Sequence, residues 1–123
     1  MTMMRKQGDT IRQGDVLLIR TTEHAVTPEH KPVPRERGML VVADGETSMH
    51  QHVIRGDGVC LLVREGISDR VLTVGVDLAE MVTEGGERGP GLMRHPAIPV
   101  PKGIYLVRIQ REWSGEEVVN VAD

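Results

Sequence analysis

Two histidines at alternating positions, His50 and His52, have the residue type and spacing that best fit metal chemistry in this chain. They close the segment GETSMHQH, residues 45–52. If this segment is a strand, residues two apart face the same side with about 6.6 Å of rise between them, so both imidazoles can reach one ion. Neutral imidazole suits zinc, iron, nickel or copper.

The pair needs a third protein ligand, because catalytic metal sites usually have three. We expect His95 to supply it. It stands just before the proline-containing residues 96–101, which fix the backbone and so position a ligand at little entropic cost. Three other residues could take its place: Glu46, Asp57 and Cys60.

The surroundings of the pair leave its role open. Gln110 could accept a hydrogen bond from the outer N–H of a ligating histidine, as residues behind a metal site commonly do. A His-x-His pair on a solvent-facing strand also arises from polar alternation alone. No catalytic residue and no general base can be assigned, so a bound metal could activate water or be purely structural, and enzymatic activity stays open. His24 and His30 lie in a charged, proline-containing loop and are expected to be solvated.

The candidate metal ligands must be positioned by the elements around them, which are short apolar runs separated by Gly or Pro turns. They recur about every ten residues, which favours a small all-β single domain, a sandwich or a barrel, of about seven to nine short strands. Residues 78–83 could be a strand or one helical turn. The expected strands cover residues 16–20, 39–43, 47–54, 59–64, 70–76, 78–83, 104–112 and 116–122.

The 123 residues fit one domain. Residues 1–13 are polar and are expected to be a flexible N-terminal arm, leaving residues 14–123 as a single β domain. Residues 21–37, with three prolines, and residues 84–91, with four glycines, are expected to be long loops. Cys60 is the one cysteine, so no intramolecular disulfide can form, and its mid-strand position favours a buried, inert thiol.

Charge and hydropathy exclude several classes of function. The net charge is −3 and the aromatic residues are Tyr105 and Trp113 alone, so we expect no nucleic-acid partner. The longest apolar runs fall far short of the roughly 18 residues of a membrane span, and no apolar segment follows Arg5 and Lys6 as in a signal peptide. These features predict a cytoplasmic protein without a membrane partner.

Residues 45–52, followed later by Pro101-Lys102-Gly103-Ile104-Tyr105, resemble a loose cupin pattern. Cupins place a glycine before His-x-His on a strand, then an acid, and later a Pro-x-Gly turn before a last histidine. The resemblance implies a metal-binding β-barrel, with Asp57 in the position of the acid. No histidine follows Gly103, where the family has its last ligand. Residues 12–16 and 110–112 resemble small uncharacterised bacterial and phage proteins, which implies no activity.

Two functions therefore remain in view. One is a small metal-binding β-barrel in which His50, His52 and His95 hold a divalent transition metal such as zinc, iron or nickel. The other is a structural or assembly protein without chemistry, such as a phage capsid-decorating subunit, which would reside in the virion. Its arm and its two long loops would contact neighbouring subunits, and since small β domains with exposed edges pair readily, we expect a homo-oligomer or protein assembly.

Overall fold

Eight strands dominate the computed structural model, which describes residues 6–44, 51–84 and 97–110. A short 3-10 helix, Glu23–Ala25, lies between the second and third strands. In these ranges no helix is long and apolar enough to cross a membrane. The strands are β1 (Thr10–Gln13), β2 (Val16–Thr21), β3 (Lys31–Pro32), β4 (Leu40–Asp44), β5 (Gln51–Arg55), β6 (Val59–Arg64), β7 (Ile67–Glu84) and β8 (Ile98–Ile109).

All the described strands belong to one antiparallel sheet with the order β1-β2-β8-β7-β5-β4. Off this path, β6 pairs with the first half of β7, and β3 pairs with β6. The prediction of a small all-β domain of about seven to nine strands is confirmed, although β7 and β8 are longer than expected. Between the described strands, hydrogen bonding does not close the sheet into a barrel, because no ladder joins β1 to β4. The expected strand at 116–122 lies outside the described residues.

The first strand occupies residues that were expected to belong to the N-terminal arm. Thr10–Gln13 pair with β2, with Ile11 opposite Leu18 and Gln13 opposite Val16. Ile11 and Gln13 are buried while Thr10 is exposed, which is the alternation of a strand with one face on the core. Gly14, at φ +61°, allows the tight turn into β2. The prediction of a flexible arm over residues 1–13 is therefore wrong for residues 10–13, which form β1.

The long strand β7 joins two segments that the sequence separated. Its first half pairs with β6 and its second half with β5, and its register with β8 shifts between Val74 and Leu78. Such an irregularity bends a strand without ending it. The alternative of a helical turn at 78–83 is wrong, since Leu78 to Met81 pair with β8 as a strand.

The strand β8 begins before its expected start and contains Pro99 and Pro101. Along this first part β8 pairs with β7, whereas β2 pairs with residues 104–109 of β8. Among the described strands, the prolines thus have β7 alone as a neighbour, and on the other side a missing N–H donor costs no ladder hydrogen bond.

One apolar core gathers residues from both ends of the strand path. It includes Ile11 of β1, Leu40 of β4, Met81 of β7 and Tyr105 of β8. Because strands at opposite ends of the path share this core, the sheet must curve around it. The buried Tyr105 hydroxyl donates to the carbonyl of Pro101 at 2.6 Å, so its polar atom is satisfied inside the core.

Candidate metal centre at His52

His52 lies on β5, which pairs with β4 on one side and with β7 on the other. It is opposite Ala43 on one side and Thr83 on the other. Its side chain is buried, with 2% of the residue exposed, and Thr83 is buried as well. The alternative interpretation, a solvent-facing histidine produced by polar alternation, is therefore wrong for His52.

The imidazole of His52 is held by Gln13 of β1. Its Nδ1 lies 2.9 Å from Gln13 Oε1, and Gln13 Nε2 donates to the carbonyl of Met81 at 3.0 Å. A carbonyl oxygen only accepts, so the amide orientation is set, and Oε1 must accept from His52 Nδ1–H. The proton of a neutral His52 ring is thereby placed on Nδ1, and the lone pair on Nε2.

The second ring nitrogen of His52 faces Asp15. Nε2 lies 3.6 Å from Asp15 Oδ1, and the Asp15 side chain is 6% exposed. The β1–β2 turn positions Asp15, whose carbonyl accepts from the backbone N–H of Gln110 at 2.7 Å. A protonated ring would form an ion pair with this carboxylate. With a neutral ring, His52 Nε2 and Asp15 Oδ1 would be two neighbouring atoms that can each donate a lone pair to a metal ion.

The separation of these two donors is compatible with one shared ion. Metal–nitrogen and metal–oxygen bonds of about 2.0–2.2 Å keep two donors of the same ion within about 4.3 Å of each other. The 3.6 Å between His52 Nε2 and Asp15 Oδ1 falls inside this limit. The arrangement thus fits two positions of a transition-metal site.

The other predicted ligands do not complete this cluster within the described ranges. His50, His95 and Glu46 lie outside the described residues. Asp57 is exposed in the β5–β6 turn, and Cys60 is exposed on β6. No group of three or more His, Cys, Asp or Glu residues suited to a metal occurs in the described part of the chain. Asp57 and Cys60 therefore do not form a three-ligand group with His52 and Asp15.

Cys60 differs from its expected burial because of strand alternation. Val59 and Leu61 point into the core, which leaves Cys60 between them on the outer face of β6. The prediction of a buried thiol is wrong for this reason. His24 is exposed as predicted, while His30 is half-buried and its Nδ1 accepts from the backbone N–H of Thr27 at 3.0 Å.

The glutamine bonded to the His52 ring is not Gln110, the residue expected from the sequence. Gln110 Oε1 accepts from Arg12 Nη2 at 2.8 Å, whereas the residue bonded to the His52 ring is Gln13. Sequence reasoning missed both Gln13 and Asp15. The available signal was alternation, since Gln13 follows Ile11 by two residues and so faces the core as a polar residue that needs a buried partner.

Comparison with known proteins leaves the chemistry open but identifies a family. No curated protein and no solved structure gives a significant match to the chain. Residues 12–110 match a family described as a domain of unknown function, DUF8820. This match spans β1 from its third residue to the end of β8, and includes Gln13, Asp15 and His52. The chain therefore belongs to the DUF8820 family.

Proposed function

We propose that the chain is a small metal-binding β protein whose site is built on His52. In this proposal His50, His52 and His95 hold a divalent transition metal, and Asp15 is an additional ligand. The observation that carries the proposal is the hydrogen bond between His52 Nδ1 and Gln13 Oε1, at 2.9 Å, in a buried setting.

This hydrogen bond has the form that orients metal-ligating histidines. Such residues donate the ring N–H that does not face the metal to a carbonyl or carboxylate, which fixes the tautomer and raises the basicity of the ligating nitrogen. Gln13 accepts that bond and is itself anchored to the Met81 carbonyl. In this proposal the ligating nitrogen is Nε2, which lies 3.6 Å from the Asp15 carboxylate oxygen Oδ1.

The donor types indicate the class of metal. Imidazole nitrogen together with a carboxylate oxygen suits zinc, iron or nickel, whereas calcium and magnesium prefer oxygen ligands alone. If one coordination position stays open, the metal would act as a Lewis acid or activate water; if the protein fills every position, its role is structural.

Metal content tests the proposal. The protein is purified without a histidine tag, dialysed against zinc and then against metal-free buffer, and analysed for bound metal. We expect one metal ion per chain in the wild type. The bound metal should be lost in each of four variants: His52→Gln, Asp15→Asn, His50→Ala and His95→Ala. His24→Ala is the matched control, because His24 is exposed and lies in the 3-10 helix that follows β2, at the opposite end of this strand from Asp15.

Two results would contradict the proposal. One is a folded wild-type protein that retains no metal. The other is equal metal content in the wild type, His52→Gln and His24→Ala, with folding verified by circular dichroism. If Asp15→Asn alone retains metal, the histidine site stands and the assignment of Asp15 as a ligand is wrong.

The assembly alternative makes a different prediction about size. A capsid-decorating or other structural subunit, in the virion or in the cytoplasm, would form a large, concentration-dependent homo-oligomer without bound metal. Light scattering on the same metal-free samples measures this directly. A large assembly in the absence of metal would favour the structural function, and a stoichiometric metal complex would favour the metal-binding one.

A further inference from the structure

A second candidate site lies in a groove at the end of β2 that carries Arg20. Asp15 precedes the opposite end of this strand, so the groove is separate from the His52 cluster. Its volume is about 960 Å³, at the upper end of the range for small-molecule pockets. The strands β2, β7 and β8, the 3-10 helix and Gly58 in the β5–β6 turn line it.

The guanidinium of Arg20 is held in place at this groove. Arg20 is opposite Tyr105 in the β2–β8 ladder, and its Cζ lies 5.8 Å from the centre of the Tyr105 ring. Its Nη1 donates to the carbonyl of Lys102 at 3.3 Å. A cation–π contact with an aromatic ring, together with the hydrogen bond to Lys102, restricts an arginine side chain and lowers the entropy lost when it binds an anion.

Glycine makes room for this arrangement. A Cβ at Gly103 would lie 2.6 Å from the Arg20 guanidinium, so a side chain there would displace it. Gly75 lines the groove beside Val74, and its N–H donates to the carbonyl of Gly58 at 2.7 Å. The three glycines thus leave a surface of backbone that a ligand can approach closely.

The charges of the groove favour an anion. Arg20 and the exposed Lys102 supply two positive charges, against one carboxylate from Glu23. Within residues 6–44, 51–84 and 97–110, ion pairs join His52 to Asp15 and Arg108 to Asp69, and neither pair involves Arg20. Val74 and Ile104 add apolar lining.

From this geometry we propose that the groove binds a small organic anion, a compact apolar body with one phosphate or carboxylate group. Arg20 and Lys102 bind the anionic group, since guanidinium matches carboxylate and phosphate through paired N–H donors. The apolar body lies against Ile104 and the backbone at Gly75. This site is independent of metal binding at His52.

Titration with simple probes tests the groove. Phenyl phosphate and benzoate are added separately to the isotope-labelled protein, and the backbone amide shifts are followed by NMR. Two controls are titrated in the same way: inorganic phosphate, which has only the anionic group, and benzyl alcohol, which has only the apolar body. We expect saturable shifts at Thr73, Gly75 and Gly103 with at least one organic anion, which binds more tightly than either part. Arg20→Gln is expected to weaken binding roughly tenfold, the effect of losing a charge-assisted hydrogen bond.

Two further variants keep the test decisive. Lys102→Gln changes an exposed residue, so it should fold and bind several-fold more weakly even if Arg20→Gln fails to fold. Arg108→Gln is the matched control, because Arg108 pairs with Asp69 on the exposed surface, and it should leave binding unchanged. The proposal is overturned if neither organic anion gives saturable shifts in the groove, if inorganic phosphate binds as tightly as phenyl phosphate, or if Arg108→Gln weakens binding as much as Lys102→Gln.

Discussion

His52 Nδ1 and Gln13 Oε1 lie 2.9 Å apart, although their strands, β5 and β1, are four positions apart in the strand order of the sheet. Among the described strands no backbone ladder joins these two parts of the sheet. The contact is therefore a side-chain connection across the curved sheet. Gln13 reinforces it by donating to the Met81 carbonyl of β7.

Replacement of Gln13 tests this connection. Gln13→Leu removes the acceptor for His52 Nδ1–H and the donor to Met81 O, both in the core. Loss of partners for buried polar groups costs about 1–3 kcal/mol, so the free energy of unfolding, measured by urea denaturation, should fall by that amount. Gln110→Leu makes the same change at a partly buried hydrogen bond to Arg12 and should cost less than about 1 kcal/mol. Equal losses in the two variants would show that Gln13 has no special role.

Much of the strand pattern could be predicted from the sequence. Val59–Arg64 was expected with the bounds that β6 has, because an apolar run between two Gly-containing turns fixes both ends. The continuity of β7 could not be predicted, since the break in alternation near Gly75 looks the same whether a strand ends or bends there. The early start of β8 was also missed, because prolines are compatible with a strand only where one edge is unpaired, and pairing is a tertiary property.

The surroundings of His52 could not be predicted from the sequence. His52 was identified from its spacing to His50, but its burial depends on which face of β5 meets the core. Gln13 and Asp15 are far from His52 in the sequence, and only the curvature of the sheet brings them to its ring. The predictions for His50 and His95 fall on residues outside the described ranges and stay predictions.

A pair of glycines in the β5–β6 turn allows backbone strain to be separated from steric contact. Gly56 and Gly58 both have positive φ, at +120° and +78°, but only at Gly58 would a Cβ meet a neighbour, Val76 Cγ1 at 2.7 Å. Gly58→Ala should therefore lower the free energy of unfolding by more than Gly56→Ala, which incurs the backbone strain alone, about 1–3 kcal/mol. Thermal and urea denaturation of the two variants measure the difference. A larger loss for Gly56→Ala would contradict the close contact at Gly58.

The exposure of Cys60 predicts a reactive thiol. A thiol on the outer face of β6 should react fully with a thiol-specific reagent such as Ellman's reagent in the folded protein, without denaturant. Cys60→Ser should abolish the reaction and leave stability nearly unchanged, since surface substitutions usually have small effects. Reaction only after addition of urea would show instead that the thiol is buried.

The carboxyl group of Glu29 should titrate below its ordinary range. A hydrogen bond from the Thr27 side chain is the largest cause of the lowered pKa, followed by the backbone N–H of Glu29 and the charge of Arg64. Because the folded pKa lies below the unfolded one, any stabilisation is present above the unfolded pKa and is lost as pH falls through the folded pKa. Thr27→Val should raise the Glu29 pKa, measured by NMR of the carboxyl carbon, and Thr27→Ser should not. An unchanged pKa in Thr27→Val would contradict this cause.

Long-range proton–nitrogen NMR of the histidine rings, with and without zinc, tests whether His52 is a metal ligand oriented by Gln13. We expect His52 Nδ1 to carry its proton in both states, because Gln13 Oε1 accepts from it. One equivalent of zinc should shift the Nε2 resonance of His52 and leave that of the exposed His24 unchanged. A zinc-insensitive Nε2 resonance, or a ring protonated on Nε2 alone, would contradict the metal site.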